Sequence, residues 1–354
     1  MSNPNLPGKL GDPNRTLFND ERADPRIVAA LQAMGTLGEG VPPVDFGAPL
    51  EECLAYCDAF ERVAAQAHPL MFAAMPEYPT VVSTTEIIKG IDGNDITLHI
   101  HKPIGAKAPA PCIFHTHGGG MAIMTAADPN FIRWRNDLAA AGLVVVGVEF
   151  RNAAGSLGAH PFPAGLNDCA SALQWTHANK ANLNINKIIL SGESGGGNLA
   201  LANALKAKQE GWLDHIDGIY AMCPYISGCY DNPPENLLSL KENDGYTLNG
   251  QVMSALVTAY DPDKQHTRNP LAWPYHATPE SLAGMPPCII SVNELDPLRD
   301  EGLAFARKLK LADVSVVAKT VNGTHHAGDL AMPDITPDIY QETLRSLVGF
   351  ARSL

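Results

Sequence analysis

The sequence predicts an α/β protein with a mostly parallel sheet covered by helices on both faces and an antiparallel hairpin at its start. From about residue 82 onward, short β-branched runs alternate with helical patterns. The turn signal Asp92-Gly93 separates two extended runs, 84–88 and 96–101. Gly192-Glu193-Ser194-Gly195-Gly196-Gly197 joins a strand pattern directly to a helical one.

Residues 1–80 lack strand alternation, and 29–34 and 50–71 carry helical apolar spacing separated by Gly- and Pro-rich linkers. After the hairpin, strands are expected at 112–116, 144–150, 187–191, 218–223, 288–292 and 315–320. Helical patterns lie between several of them, at 131–141, 165–178, 198–208 and 300–311. Residues 225–280 interrupt the alternation. Pro233-Pro234, Asn243-Asp244-Gly245 and Asp261-Pro262-Asp263 punctuate them, and 248–260 reads as a helix. The expected organisation is an N-terminal helical cap portion over 1–80, a first core part over 81–224, an insertion contributing to the cap over 225–280, and a second core part over 281–354.

The chain has 354 residues, 45% hydrophobic content and a formal net charge of −13. That single-sign negative field disfavours nucleic acid and anionic membranes as partners, and no basic stripe is visible. The first 25 residues have no apolar core, and 138–150 is far shorter than the roughly 20 residues of a membrane span. A cytoplasmic location with no membrane span is expected. The seven cysteines are scattered and odd in number, which argues against a disulfide framework. Cys53 and Cys57 share a helical face but have no nearby Cys or His cluster to complete a metal site.

Glycines flanking Ser194 relieve crowding where a strand turns sharply into a helix, and the helix N-terminus favours nearby negative charge. This is the turn that presents a nucleophilic hydroxyl. The competing readings are a glycine-rich helix cap, with Ser194 as a capping residue, and a dinucleotide loop. The second lacks the early position and the acidic partner that it needs. His117-Gly118-Gly119-Gly120 follows the strand at 112–116. Its backbone N–H groups can converge on a developing oxyanion, and the expected donors are Gly118, Gly119 and Gly195. His117 shapes the loop.

Asp296 sits at the loop end of a late strand, where the acid of a Ser-acid-His set belongs, with Glu294 and Asp300 as competitors. His325 and His326 follow the strand at 315–320. Spacing does not separate them, and one is expected to be the base. His99 and His101 lie too early in the chain and read as structural. Met121, Tyr225 and Trp273 are candidate pocket walls, together with Met71, Met75, Met124 and Phe131. Ordinary core packing is the competing reading for each.

These motifs, with Phe150-Arg151-Asn152, His160-Pro161-Phe162-Pro163, Pro224-Tyr225-Ile226-Ser227 and the run from Asn293 to Gly302, resemble the hormone-sensitive-lipase-like group of α/β-hydrolases over roughly residues 40 to 350. The resemblance implies an α/β-hydrolase fold with an eight-stranded sheet, a helical cap and serine carboxylester hydrolysis. It maps the catalytic serine to Ser194 and the acid to Asp296. It selects His326 as the base, because the family histidine comes three residues after a glycine, here Gly323. Glu193 stands where the family often has Asp. The segment between Asn152 and His160 is longer than in many relatives, and Gly328 stands where an aromatic residue is common.

The expected function is hydrolysis of short-chain or compact carboxylic esters, lactones included, with no metal or organic cofactor. The small-molecule ester is the partner, and an exposed sheet edge offers a route to a homodimer. The alternatives are an amidase or peptidase using the same three residues, and a non-catalytic small-molecule-binding homologue.

Overall fold

Alternating burial explains why the central strands read as near-continuous apolar runs. In β3 (Ala110–Thr116), β4 (Val144–Glu149), β5 (Ile185–Glu193) and β6 (Gly218–Met222), successive side chains face opposite sides of a sheet covered on both sides. Cys112, Phe114, Val146, Ile188, Leu190 and Ile219 enter one core. Their neighbours Ile113, Val145, Ile189 and Tyr220 enter the other. Each fully buried side chain of this size contributes about 1.5–3 kcal/mol relative to exposure. The structure is a computed structural model that describes residues 6–35, 44–71 and 75–354, the side chains of 65–71 excepted.

With β1 (Val81–Lys89), β2 (Asp95–Pro103), β7 (Cys288–Asn293) and β8 (Val316–Val321), the sheet has eight strands in the order β1-β2-β4-β3-β5-β6-β7-β8. β2 runs antiparallel to both β1 and β4, and every other pairing is parallel. The fold is the α/β-hydrolase fold expected from the sequence. The strand order reverses between β3 and β5, where Thr116 pairs with Gly192. The crevice beyond the carboxyl ends of such strands is where open α/β sheets bind ligands.

The helices bear out the periodic segments with shifted starts. α1 (Pro25–Ala33) begins four residues before the expected 29, because Asp24 caps it by accepting from Arg26 N–H at 2.9 Å and Pro25 fits its first turn. α2 spans Leu50–Met71, as the spacing predicts. α3 (Pro129–Ala140) and α4 (Ala164–Ala178) cover opposite faces of the sheet. α5 (Gly195–Glu210) starts three residues before the expected 198, so its whole first turn is glycine. α6 (Gly250–Tyr260) is capped by Asn249, which accepts from Val252 N–H at 2.9 Å. α7 (Arg299–Leu311) packs beside β7.

α8 (Pro337–Ser353) is absent from the sequence reading. Its signal was available: Pro337 at the first helical position, then buried Tyr340, Leu344, Leu347, Val348 and Ala351 at helical spacing. Among the described residues, no helix is long and apolar enough to cross a membrane.

Candidate active site

Ser194 sits between β5 and α5 with φ 56° and ψ −119°, a conformation an L-residue adopts only when its surroundings enforce it. The glycines show what enforces it. A Cβ on Gly196 would lie 1.9 Å from Thr116 O, and one on Gly192 2.4 Å from the same oxygen. One on Gly195 would lie 2.6 Å from the backbone nitrogens of Gly120 and Met121. The turn is therefore wedged backbone-to-backbone against the loop after β3, an approach only glycine permits. Ser194 makes no side-chain capping hydrogen bond, so the helix-cap reading fails and its hydroxyl is left for the cavity it lines.

His326 and Asp296 meet across the loops after β8 and β7. His326 Nδ1 donates to Asp296 Oδ2 at 2.8 Å. A carboxylate only accepts, so Nδ1 carries the proton and Nε2 keeps its lone pair. Asp296 is fully buried, and its other oxygen accepts from Leu298 N–H at 2.9 Å. The two loops are tied together: Leu295 N–H donates to Thr324 O at 3.0 Å, and Asn293 Nδ2 donates to Thr324 Oγ1 at 2.7 Å. Burial opposes protonation of His326, but the charge and hydrogen bond of Asp296 outweigh it and hold the imidazole above its ordinary value.

The competitors have other partners. Glu294 accepts from Gly323 N–H at 2.8 Å, and Asp300 accepts from Ser239 N–H at 2.8 Å. His325 is buried and donates from Nδ1 to His326 O at 3.0 Å, and burial pushes it down to about 4. It stays neutral and does not line the cavity. Among the described residues, no hydrogen bond joins Ser194 to His326. Such contacts are commonly loose in unliganded sites and tighten around substrate.

The glycine loop corrects one expectation. Gly118 N–H donates to Glu193 Oε1 at 2.8 Å and is thereby taken. Glu193 also accepts from His115 Nε2 at 3.1 Å, so its carboxylate braces two structures at once. Among the described residues no hydrogen bond takes the N–H groups of Gly119, Gly120 or Gly195. Gly119 and Gly120 line the cavity with positive φ, 98° and 61°. His117 is buried, stacks on Phe150 at 4.2 Å and donates to Gly118 O at 2.8 Å, holding the loop from behind.

The cavity has a volume of about 480 Å³. Its walls are Tyr56 and Phe60 of α2, Asn130, Phe131 and Trp134 of α3, and Val252 and Leu256 of α6 with the residues just before it. Ser194, Glu193 and His326 form the polar floor with Gly118, Gly119 and Gly120. Glu61 of α2 accepts from Met124 N–H at 2.7 Å and Ser156 N–H at 2.6 Å, which ties that helix to the end of the glycine loop.

Met124 and Phe131 line the cavity as expected, but Met121, Tyr225 and Trp273 do not. Met121 packs in the core with φ 58°. Tyr225 stacks on Tyr230 at 4.7 Å and donates to Met253 O at 2.5 Å. Trp273 is fully buried, edge-on to Tyr225 and Tyr260. All three are consumed by packing. Met75 is not among the lining residues, and the Met71 side chain lies outside the described residues. Sequence reasoning misses Tyr56, Phe60, Trp134 and Val252, because which face of a helix looks into the cavity depends on docking rather than on local pattern.

Residues 113–329 match the model of a family described as having the alpha/beta hydrolase fold. Carboxylesterase NlhH of Mycobacterium tuberculosis is 30% identical over 289 residues, which cover 79% of this chain and 85% of that protein. An arylesterase of Saccharolobus solfataricus is 28% identical over 271 residues, covering 76% of this chain and 84% of that one. Among solved structures, brefeldin A esterase, described as a bacterial homologue of human hormone-sensitive lipase, superposes with TM-score 0.93 and 43% identity over 98% of both chains. Esterase Est22 superposes with TM-score 0.87 and 35% identity, covering 95% of this chain and 99% of that one.

Proposed function

Because the chain belongs to the α/β-hydrolase family and is a carboxylic ester hydrolase of the serine type, we propose that Ser194, His326 and Asp296 carry the reaction, with the N–H groups of Gly119, Gly120 and Gly195 as the oxyanion donors. The observation that carries this reading is the 2.8 Å bond from His326 Nδ1 to Asp296 Oδ2 beside a strained, uncapped Ser194 on the same cavity.

His326 Nε2 takes the Ser194 proton as Oγ attacks the ester carbonyl carbon, and the carbonyl π electrons move onto oxygen. The glycine N–H groups stabilise that oxyanion, each at about 3 kcal/mol. The tetrahedral intermediate collapses, the C–O bond to the alcohol breaks, and the imidazolium protonates the departing alkoxide. Water then attacks the acyl-enzyme, giving its proton to His326, and a second collapse returns the proton to Ser194 as the acid leaves. Asp296 stays ionised, holds the tautomer and stabilises the imidazolium.

The cavity volume and its aromatic walls support short-chain or compact esters, lactones included. The segments carrying α2 and α6 are proposed as the cap. Their helices pack on each other, and Glu61 fastens them to the glycine loop. The seven cysteines are all free thiols, which supports a reducing, cytoplasmic setting. A homodimer through the outer edge of β8, the last strand of the sheet, is part of the same proposal and is read by light scattering.

Hydrolysis of p-nitrophenyl esters from C2 to C12, with Ser194→Ala as control, tests the reading. Turnover on short chains that is lost in the variant is expected. Turnover that survives Ser194→Ala would overturn it.

A further inference from the structure

Glu301, in the first turn of α7, is a carboxylate that the reaction above does not use and that does not line the cavity. It is 1% exposed. Three donors converge on its Oε1: Ile226 N–H at 2.6 Å, Ser227 N–H at 3.3 Å and the Tyr230 hydroxyl at 3.0 Å. Among the described residues, its Oε2 has no hydrogen-bond partner and no ion pair joins it to a cation. Burial outweighs the three bonds and pushes the carboxyl up to about 7. A buried carboxylate without a cation is costly to fold, so what it holds matters. The chain after β6 turns back along the nucleophile. Ser194 N–H donates to Met222 O at 3.0 Å, and Tyr225 N–H donates to Ser194 O at 3.0 Å. Asn198 Nδ2 of α5 donates to Tyr225 O at 2.9 Å. The N–H of that same Tyr225–Ile226 peptide group is the one that ends on Glu301. A strained backbone such as that of Ser194 persists only while its surroundings fix it.

We propose that Glu301 is a positioning residue for the nucleophile: by pinning the Tyr225–Ile226 peptide it keeps Tyr225 N–H on Ser194 O and Ser194 in its attacking conformation. The inference rests on the ester-hydrolase reading above, with Ser194 as the nucleophile. Glu301 touches neither substrate nor the reacting atoms. It acts through the backbone of residues 225–227, so it governs kcat and leaves substrate binding alone. A misplacement of about 1 Å at a reacting group can cost about 100-fold in rate, even when its origin is remote. The Tyr230 ring, stacked on Tyr225 at 4.7 Å while its hydroxyl donates to Glu301, ties the same segment a second time.

The test is kcat and KM for p-nitrophenyl butyrate in variants that keep a cooperative thermal melt, with the rate at which paraoxon phosphorylates Ser194 and releases p-nitrophenol as a second readout. Glu301→Leu fills the space without an acceptor, and Glu301→Asp draws the carboxylate back by one methylene. Each is expected to lower kcat and the phosphorylation rate by about 10-fold or more at unchanged KM. Glu301→Gln keeps an acceptor oxygen at the same reach and is expected to hold both rates close to those of the native protein. A role in stability alone would lower the melting temperature and leave kcat in the folded variants untouched. Native kcat in folded Glu301→Leu or Glu301→Asp, a loss carried by KM, or a Glu301→Gln variant as impaired as Glu301→Leu overturns the inference. Failure of both Glu301→Leu and Glu301→Asp to fold also overturns it, by assigning Glu301 to the fold as a whole. In each of these cases Ser194-dependent turnover in the native protein leaves the hydrolase reading standing. Native turnover that survives Ser194→Ala, or no turnover at all, overturns both.

Discussion

Gly118 N–H donates to Glu193 Oε1 at 2.8 Å, so the residue just before the strained Ser194 fastens the glycine loop directly to the nucleophile turn. The same carboxylate accepts from His115 at 3.1 Å. Oxyanion donors must be fixed before charge develops, and this clamp sets where Gly119 and Gly120 point.

Glu193→Ala should therefore lower kcat by about 10-fold or more, by loosening donors each worth about 3 kcal/mol. Glu193→Gln keeps an acceptor at the same reach and should retain more activity. Steady-state kinetics on a short p-nitrophenyl ester checks the order. Equal losses in both variants would show that the charge, and not the clamp, matters.

Asp296→Asn should cost about 10,000-fold in kcat, because the amide no longer compels His326 to keep its proton on Nδ1. KM should change far less, since Asp296 is buried behind the histidine and does not line the cavity. A loss below 10-fold would point to Glu294 or Asp300 as the acid instead.

The base must be neutral to accept a proton, so activity should fall as pH drops through the His326 value. Asp296 raises that value above the ordinary 6.5, against the opposing effect of burial. The acid limb of the kcat/KM profile should have its midpoint above 6.5, and the residual activity of Asp296→Asn should show a midpoint shifted down. A native midpoint below 6.5 would contradict this electrostatic reading.

Stability follows the opposite histidine. Burial drives His325 down to about 4 from an ordinary 6.5, so the unfolded chain binds more protons between those values. Its contribution is complete above about pH 6.5 and is lost as pH falls toward 4. His101, buried beside Arg135 and also near 4, acts in the same direction. Thermal melts from pH 7 to 4 should show a falling Tm, with a shallower slope in His325→Gln.

Two glycines separate steric need from chain entropy. Gly196→Ala places a Cβ 1.9 Å from Thr116 O and should abolish folding or activity. Gly349→Ala, on the open face of α8 with nothing within 4 Å, should stabilise the protein by about 0.5–1 kcal/mol in a denaturant titration.

The parts of the site legible in the sequence are those whose geometry is local. Gly192, Gly195 and Gly196 announce the sharp turn, because no other residue fits it, and Asp296 announces itself by its place after a strand. Neighbouring residues resist such reading. Spacing does not separate His325 from His326; in the fold one side chain turns into the core and the other toward Asp296. In the sequence Gly118 is indistinguishable as an oxyanion donor from its neighbours, because only the fold brings Glu193 against its N–H. Tyr225 and Trp273 look like pocket aromatics in sequence, but Tyr225 stacks on Tyr230 and Trp273 meets Tyr225 and Tyr260 edge-on, contacts that no local pattern names.

The most direct test of the central claim is the site of covalent capture. Treating the protein with paraoxon transfers a diethylphosphoryl group to an activated serine with release of p-nitrophenol, and peptide mass mapping locates it. The account predicts stoichiometric labelling of Ser194, loss of ester turnover in step with labelling, and no labelling in His326→Ala. Full ester turnover in protein labelled at Ser194, or inactivation with the label on another residue, would contradict it.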